Sequence, residues 1–457
     1  MDIVDIDLIS KLSYEYAVNH MVLPIKLQNN KVLVKACECN KEIIEYLETV
    51  YGRKIDVLEC SSDEIKNSIC NQYKSFVYNS SDKSNKLAEE IIKLAIRERA
   101  SDIHFESFDN ECIVRFRVDG IMYSKFRMSR LQYDSLCIQI KFLANMDISD
   151  KMMPQDGKVK FKYDDSNMID LRVSSIPTVS GEKLVIRILF KNEELMELYN
   201  MCYTEKQKKL MNNFLAVKEG LIIICGPTGS GKSTTLYAML KKEKSDQLNI
   251  TTIEDPAEFL MNNINQININ EKIGLTFSKV LKHVLRQDPD VIMLGEIRDE
   301  DTAENTVRAA ITGHKVYTTL HTDSIFNVYS RLKDMGVKEY LLKDCLKGVV
   351  SQRLVRKLCP HCRKEVYDYE DKYGIKKAYR AQGCTKCNKG YLGRIVIYEM
   401  LYVNFENKNG LKNGVVEDEE SFVDLHECLN DYVEKGYISY DDYVEYMRLY
   451  DERVNIK

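Results

Sequence analysis

Short stretches in the first part of the chain alternate apolar with polar residues, whereas later parts carry continuous apolar runs. Residues 112–118, 169–173 and 184–190 place an apolar side chain at every second position. A period of two predicts half-buried strands of an antiparallel sheet. From residue 221 onward, predicted strands, of which 221–225 and 291–294 are uninterrupted apolar runs, alternate with segments of helical periodicity. That order predicts a doubly wound α/β domain, in which helices cover a parallel sheet.

The region before residue 190 divides at a polar run. Residues 1–75 mix short apolar patches with two helical segments and predict a small α/β domain, in which no catalytic pattern occurs. The polar run 79–84 predicts a linker. An amphipathic helix at 85–99, followed by the alternating strands, predicts a compact α+β domain over residues 85–190.

Four arginines of this second region point away from the apolar face of the strands: Arg115, Arg117, Arg172 and Arg187. On the pattern alone, outward charges form a solvated sheet face and contribute little to stability. A functional role for them needs a further argument.

The first long apolar run, residues 221–225, leads directly into a glycine-rich stretch. That stretch fits the phosphate-loop pattern G-x-x-x-x-G-K-[ST] at every fixed position, with the residues Gly226, Pro227, Thr228, Gly229, Ser230, Gly231, Lys232, Ser233 and Thr234. Its glycines let backbone N–H groups turn toward phosphate oxygens, and the helix predicted over 232–241 adds positive charge at its N-terminus. We expect Lys232 to contact the β and γ phosphates and Ser233 to bind Mg²⁺.

Polar residues also stand at the ends of three further runs that are predicted to be strands. The acids are Glu254, Asp255 and Glu258 after the first run and Glu296 after the second, and the histidines His314 and His321 flank the third. Ligands of doubly wound sheets bind beyond the carboxyl ends of the strands, so these side chains are expected beside the phosphate loop. An acid there can serve Mg²⁺ or the attacking water. Helix capping by the acids and structural hydrogen bonding by the histidines are the alternatives.

Two Cys-x-x-Cys pairs near the C-terminus have the spacing of a zinc site. They are Cys359 with Cys362 and Cys384 with Cys387, and 21 residues separate the pairs. Four thiolates suit tetrahedral Zn²⁺ in a structural role, because no coordination position stays open. A chance pairing among the 14 cysteines is the alternative. The other ten are predicted to be reduced thiols.

Composition narrows the range of partners. With 66 basic and 70 acidic residues the net charge is −4, and no Lys/Arg-rich block with aromatic residues occurs, which argues against a direct grip on nucleic acid. The N-terminus is acidic and no apolar run approaches the ~18 residues of a membrane span. The sequence therefore predicts a cytoplasmic protein whose membrane contact is indirect.

Several motifs together resemble those of the type II secretion and type IV pilus assembly ATPase family. They are the phosphate loop, TIEDPAE (252–258), LRQDPDVIMLGEIRD (285–299), TGH (312–314), TLHT (319–322), ASDIHFE (100–106), RFRVDG (115–120) and PQDG (154–157). The resemblance covers about residues 85–400. Met152 and Met153 depart from the family's pattern, because they stand where it often has two arginines.

The resemblance implies an α/β architecture with several modules. A RecA-like P-loop ATPase domain is expected over 215–401, preceded by a PAS-like α+β domain and the small N-terminal α/β domain. A Cys₄ zinc subdomain at 355–395 would be inserted near the C-terminus, followed by an acidic helical tail at 402–457 that serves packing.

The resemblance also implies roles for single residues. Lys232 and Ser233 would bind phosphate and Mg²⁺, Glu258 would polarise the attacking water, and Glu296 would take the Walker B role. His314 and His321 would sense the nucleotide or couple its state to motion. Arg172 and Arg187 would face the γ-phosphate of an ATP held between the two domains, which replaces the solvated-face interpretation for this pair.

The implied function is a hexameric motor that hydrolyses ATP to ADP and phosphate. It would assemble a type IV pilus or a type II secretion pseudopilus through an inner-membrane platform protein, at the cytoplasmic face of that membrane. The zinc module is typical of the family's assembly motors, which disfavours the alternative of a pilus-retraction or DNA-uptake motor. A nucleotide-binding scaffold without hydrolysis is the non-enzyme alternative, which the presence of Lys232, Glu258 and Glu296 disfavours. The driven fibre, the membrane partner and the ring symmetry stay open.

Overall fold

The computed structural model describes residues 20–37, 40–61, 87–109, 111–164, 167–190, 197–201, 204–367, 374–408 and 415–455, with isolated positions before residue 70 and backbone alone over 449–455. The chain forms two compact units, Met1–Lys191 and Asn192–Lys457. The predicted linker at 79–84 lies outside the described residues. Within the described part, no helix has the length and apolarity that a bilayer crossing requires.

The described part of the first unit contains ten strands and three helices. The strands are β1 (Val4–Asp5), β2 (Val22–Gln28), β3 (Lys31–Ala36), β4 (Ile55–Glu59), β5 (Ala100–Ser107), β6 (Cys112–Val118), β7 (Ile121–Met128), β8 (Gln155–Lys162), β9 (Met168–Thr178) and β10 (Gly181–Leu189). The helices are α1 (Lys41–Tyr51), α2 (Leu87–Arg97) and α3 (Arg130–Leu143).

Two sheets organise these elements. The smaller has the order β2-β3-β4 and shares its apolar core with α1. The larger has the order β1-β7-β6-β5-β10-β9-β8, with antiparallel pairing except between β1 and β7. The inward residues of its strands form one core with α2 and α3, so the opposite face carries the outward residues. Asp119 and Gly120, with φ of 50° and 89°, form the predicted hairpin turn between β6 and β7.

The second unit is built on an eight-stranded sheet. The described strands of the unit are β11 (Gly220–Cys225), β12 (Ile250–Glu254), β13 (Asn265–Asn268), β14 (Val291–Leu294), β15 (Lys315–Leu320), β16 (Leu346–Leu358), β17 (Lys364–Val366), β18 (Ala378–Arg380), β19 (Tyr391–Tyr402) and β20 (Phe422–Val423). Strands β17 and β18 pair only with each other, and the other eight form the large sheet. The order β13-β12-β14-β15-β11-β16-β19-β20 is parallel from β13 to β16 and antiparallel thereafter.

Helices cover both faces of this sheet. They are α4 (Glu205–Ala216), α5 (Lys232–Glu243), α6 (Phe277–Val284), α7 (Glu300–Ile311), α8 (Ile325–Asp334), α9 (Glu339–Cys345), α10 (Leu425–Glu434) and α11 (Tyr440–Asn455). Two apolar clusters fill the layers on either side: one includes residues of α4, α5, α10 and α11, and the other residues of α6, α7 and α8. Strand β14 is an uninterrupted apolar run, as is typical of a parallel strand buried on both faces, whereas the equally buried β15 also contains Lys315, Thr318 and Thr319.

The C-terminal residues pack into the second unit. Strand β20 pairs with β19, and Leu429, Tyr432 and Val433 of α10 are buried in the same cluster as the phosphate-loop strand. Tyr443 and Met447, predicted to share a helical face, are both fully buried. The side chain of Tyr450, placed on the same face, lies outside the described residues. The domain boundaries proposed from the sequence stay predictions.

Candidate functional site

The phosphate-loop stretch connects strand β11 to helix α5. Gly226, Gly229 and Gly231 have φ of 144°, 77° and 87°, which residues with a Cβ rarely adopt. A Cβ on Gly226 would lie 2.4 Å from the carbonyl oxygen of Gln352 on β16. The side-chain amide of Gln352 donates to the carbonyl of Ser230 at 2.7 Å. The loop is therefore shaped by its glycines and supported by the neighbouring strand.

Lys232 opens helix α5 with its ammonium group turned back into the loop. Its Nζ donates to the carbonyls of Gly226 at 2.9 Å and Pro227 at 3.1 Å. The side chain is buried, and among the described residues no carboxylate lies within ion-pair distance of Nζ. Burial lowers the pKa of Lys232, while Cys225 and Glu296 oppose that shift. A buried ammonium group without a paired anion is costly, so this position favours binding of an anion, and phosphate oxygens can supply the negative charge.

The surroundings of the loop suit a bound polyphosphate. The buried hydroxyls of Ser230 and Thr235 find no hydrogen-bond partner among the residues that the structure describes. Ser233 and Thr234, the first residues after Lys232, are half-buried at the helix N-terminus. Backbone N–H groups of a helix N-terminus attract anions, and Ser233 is the residue that could hold Mg²⁺.

Glu296 follows strand β14 at the same edge of the sheet, since β14 pairs with β15 and β15 with β11. Arg298 Nε lies 2.8 Å from Glu296 Oε1, and Arg298 Nη1 lies 3.0 Å from Asp255 Oδ2. His321 Nε2 lies 3.2 Å from Glu296 Oε2. The hydrogen bond to Glu296 raises the pKa of Arg298. The structure thus brings together three predicted residues, Asp255, Glu296 and His321, around an arginine that was not predicted.

The remaining acids of the first strand end have different surroundings. Glu254 is buried and accepts hydrogen bonds from Tyr237, from Thr252 at 2.5 Å and from Gln266 at 3.1 Å. Glu258 is exposed, and its backbone N–H donates to the Tyr237 hydroxyl at 3.1 Å. A carboxylate held by three donors is a structural group, so Glu258 is the better placed of the two for a reaction.

His314 lies elsewhere. It precedes strand β15, whose six residues run parallel to β11 and end beside the phosphate loop. At about 3.3 Å per residue, His314 is about 20 Å from the edge that carries Lys232 and His321. Its Nδ1 lies 3.0 Å from the carbonyl of Ala309, and its own carbonyl accepts from Gly220. The structure does not bring His314 together with the other predicted site residues of this unit.

The predicted arginines lie in the first unit, on the sheet face opposite α2 and α3. Arg187 and Arg172 are direct partners across strands β10 and β9. Arg187 Nε donates to Asp102 Oδ1 at 2.9 Å, and its side chain is 66% exposed. Arg117 approaches the other oxygen of Asp102, and Arg115 pairs with Glu106. Because Asp102 occupies the Nε side of Arg187, the terminal nitrogens of that guanidinium can bind a further anion.

The four predicted zinc ligands meet at the tip of the β16–β19 hairpin. Their ligand atoms all lie within 4.8 Å of one another. The sulfur–sulfur distances are 3.9 Å for Cys359 to Cys384, 3.7 Å for Cys362 to Cys387 and 3.6 Å for Cys384 to Cys387. Tetrahedral Zn²⁺ with bonds of about 2.3 Å requires sulfurs about 3.8 Å apart. The geometry of the four thiols therefore fits Zn²⁺.

The residues that sequence reasoning missed act through contacts between distant segments. Arg298 lies inside a motif that carries the resemblance, yet its partners follow other strands. Gln352 is 122 positions in sequence from Ser230, the loop residue to which it donates. Tyr237 and Asp102 likewise carry no local signal of their partners.

The chain is similar to known proteins of secretion and pilus machines. The family described as "Type II/IV secretion system protein" matches residues 79–439. The "Type II secretion system ATPase E" of Vibrio cholerae is 43% identical over 329 residues, which cover 70% of this chain and 65% of that protein. The "Type IV pilus assembly ATPase PilB" of Myxococcus xanthus is 35% identical over 440 residues, covering 87% of this chain and 78% of that protein.

Two solved structures have the same fold. The pilus retraction motor PilT with bound ADP aligns with a TM-score of 0.56 at 25% identity, covering 79% of this chain and 96% of that chain. The Legionella pneumophila ATPase DotB aligns with a TM-score of 0.61 at 20% identity, covering 81% of this chain and 97% of that chain. The predicted fold class is confirmed by these two matches and by the Cys₄ cluster.

Proposed function

Because the chain belongs to the type II/IV secretion system protein family, as its motifs predict, we propose that it is an ATP-hydrolysing motor of a secretion or pilus machine. The observation that carries the proposal is the buried Lys232, whose ammonium faces a glycine-shaped loop and pairs with no carboxylate of the described residues. An anion of several negative charges completes that arrangement, and the acids at the same edge provide for its hydrolysis.

The proposed roles follow from where each side chain lies. The loop from Gly226 to Thr234 binds the phosphates, with Lys232 at the β and γ positions. Ser233 holds Mg²⁺, which would neutralise phosphate charge when bound. Glu296 orients water or the ion's water shell, with His321 and Arg298 holding its carboxylate. Glu258 polarises the attacking water, since its carboxylate is exposed at this edge while that of Glu254 is buried.

Arg172 and Arg187 are proposed to neutralise charge on the γ-phosphate. Their support is the family's pattern together with the exposed terminal nitrogens of Arg187. His314 has no part in this scheme within its own unit, because it lies at the far edge of the sheet. Its contact with Ala309 favours the structural alternative.

The direction of work that we propose is assembly rather than retraction. The Cys₄ cluster is the supporting observation, since the resemblance associates that module with assembly motors. The Myxococcus xanthus relative, which is 35% identical over 87% of this chain, is named a type IV pilus assembly ATPase. We propose a homohexamer at the cytoplasmic face of the inner membrane that acts on a platform protein of that membrane, with no direct hold on nucleic acid.

Steady-state ATP hydrolysis tests the proposal. The wild-type chain should hydrolyse ATP in the presence of Mg²⁺, and Lys232→Ala and Glu296→Gln should each lower turnover by about 100-fold or more. Lys232→Ala should also lose nucleotide binding, whereas Glu296→Gln should keep it. The matched control is Glu304→Gln, because Glu304 is an exposed acid on α7 that pairs with Arg308. Equal and negligible rates for the wild type and Glu296→Gln would instead indicate a non-hydrolysing scaffold.

A further inference from the structure

One buried hydroxyl connects the phosphate-loop helix to the segment that carries Glu258. Tyr237 lies on α5, five residues after Lys232, and its side chain is fully buried. Its hydroxyl donates to the carboxylate of Glu254 and accepts the backbone N–H of Glu258 at 3.1 Å. The ring packs edge-on against Phe259, with centroids 5.5 Å apart. Tyr237 therefore contacts the residues on both sides of the Asp255–Ala257 turn.

The directions of these hydrogen bonds are fixed by chemistry. Burial raises the pKa of Tyr237, and the nearby charge of Glu254 raises it further, so the hydroxyl keeps its proton. A backbone N–H can only donate, so the Tyr237 oxygen must accept from Glu258. Its one proton then goes to Glu254, whose other donors are Thr252 and Gln266.

Side chains of β13 hold the same segment from the other direction. The N–H of Ala257 donates to Asn268 at 2.7 Å, and that of Met261 donates to Gln266 at 2.7 Å. Gln266 also donates to the carbonyl of Phe259 at 2.8 Å. The backbone around Glu258 is thus pinned to β13 by these amides and to α5 by Tyr237.

We propose that Tyr237 is a positioning residue for Glu258. It fixes the distance between the Glu258 backbone and the helix whose first residue is Lys232, and so the distance between the water-polarising carboxylate and the bound phosphate. This inference rests on the proposed ATPase function and on the role of Glu258 in it. A misplacement of about 1 Å in a reacting geometry can cost on the order of 100-fold in rate, although the substrate still binds.

Tyr237→Phe is the sharpest variant, because it keeps the ring against Phe259 and removes only the hydroxyl. We expect kcat for ATP to fall about tenfold or more while the Kd for ADP changes less than about twofold. The control is Tyr317→Phe. The Tyr317 hydroxyl is also buried and donates to a carboxylate, that of Glu243 at 3.0 Å, at the opposite edge of the sheet. Its removal should leave kcat within about twofold.

Two further measurements separate positioning from general destabilisation. In a Glu258→Gln background, Tyr237→Phe should cause no further loss of kcat, because it acts through the group already removed. Amide hydrogen exchange over residues 255–261 should become faster in Tyr237→Phe and stay unchanged in Tyr317→Phe. Normal kcat in Tyr237→Phe, an equal loss in Tyr317→Phe, an additive loss with Glu258→Gln, or unchanged exchange would each overturn the inference.

The exchange measurement also keeps this inference apart from the proposed function. A wild-type chain without ATP hydrolysis would refute the ATPase proposal whatever the variants do. Faster exchange of residues 255–261 in Tyr237→Phe would then still support the tie between α5 and the Glu258 segment. Unchanged exchange would refute that tie even if the wild type is an active ATPase.

Discussion

Arg298 is the residue on which the carboxylates at the phosphate-loop edge converge. Its guanidinium contacts Glu296 through Nε and Asp255 through Nη1, and it lies over the ring of Phe277 with 5.7 Å to the centroid. Guanidinium presents its donors in a planar fork, so it can hold two carboxylates at fixed angles where an ammonium could not. With His321 on its second oxygen, Glu296 is held from two sides.

Arg298→Ala should therefore lower ATP turnover by about tenfold or more, with nucleotide binding reduced much less. The physical reason is that Glu296 and Asp255 lose their shared counter-charge and their orientation, whereas Lys232 and the loop stay intact. Steady-state hydrolysis together with ADP titration measures both quantities. Arg308→Ala is the matched control, since Arg308 is exposed and pairs with Glu304 one turn away on α7. Unchanged turnover in Arg298→Ala would mean that the contacts of Arg298 with Glu296 and Asp255 are not needed for hydrolysis.

Single residues of the site could be predicted from the sequence where they belong to a recognisable motif. Residues whose role depends on contacts between distant segments could not. Lys232 and Glu296 occupy motif positions, and the structure places both at one edge of the sheet. Arg298 and Tyr237 act through partners that only the strand order brings near. His314 and His321 flank the same strand in the sequence, and the six residues of β15 hold them at opposite ends of that strand. Which end of a strand a residue occupies decides its neighbours.

Strand β16 connects the phosphate loop to the cysteine cluster. Gln352 supports the loop, Arg353 donates to the carbonyl of Asp323 at 2.6 Å, and Leu358 is bonded through its N–H to Tyr437 ahead of α11. Cys359 follows immediately, and its N–H donates to Gly390 at 2.8 Å. The cluster thus closes the tip of a long hairpin whose first strand passes the phosphate loop at Gln352.

Purified protein should carry about one Zn²⁺ per chain, and Cys362→Ser should lose it, because three thiolates bind this ion much more weakly than four. Removing the metal should also lower the midpoint of thermal unfolding, since bound metal adds its binding free energy to folding. Elemental analysis and a melting curve measure the two effects. Cys37→Ser, at a half-buried thiol outside the cluster, should change neither zinc content nor melting. Absence of zinc from the wild type would contradict the site.

The elements themselves were predictable where burial determines the pattern. The run that became β14 is apolar throughout, since both faces are covered, and the strand β6 alternates because one face is outward. The pairing of β1 with β7 was not predicted. Two residues joining a sheet more than a hundred positions away leave no periodic signal, and their place depends on which sheet edge is open.

The outward face of the large sheet in the first unit bears on how whole chains associate. It carries Arg172 and Arg187 side by side, and Asp102 orients the latter without covering its terminal nitrogens. Exposed guanidinium groups on this face can bind an anionic ligand that is held by a different surface. In the ring that we propose, successive copies meet through different surfaces, so a group on one copy can complete the site of the next.

Mixing two inactive variants tests whether that completion crosses between copies. Lys232→Ala lacks the phosphate contact but keeps Arg187, whereas Arg187→Ala keeps Lys232 and lacks the arginine. Each variant alone should show little hydrolysis, although Arg187→Ala should still bind ADP. If Arg187 serves the neighbouring copy, a random equal mixture should regain activity at up to about a quarter of its interfaces, those where an intact arginine meets an intact loop. Turnover of the mixture against each variant alone measures this, after mass spectrometry of the intact assemblies has shown that the copies exchange. If the copies exchange but turnover is not recovered, Arg187 acts at the nucleotide of its own chain or at none. If Arg187→Ala alone has wild-type turnover, the arginines are solvent-exposed charges without a role in hydrolysis.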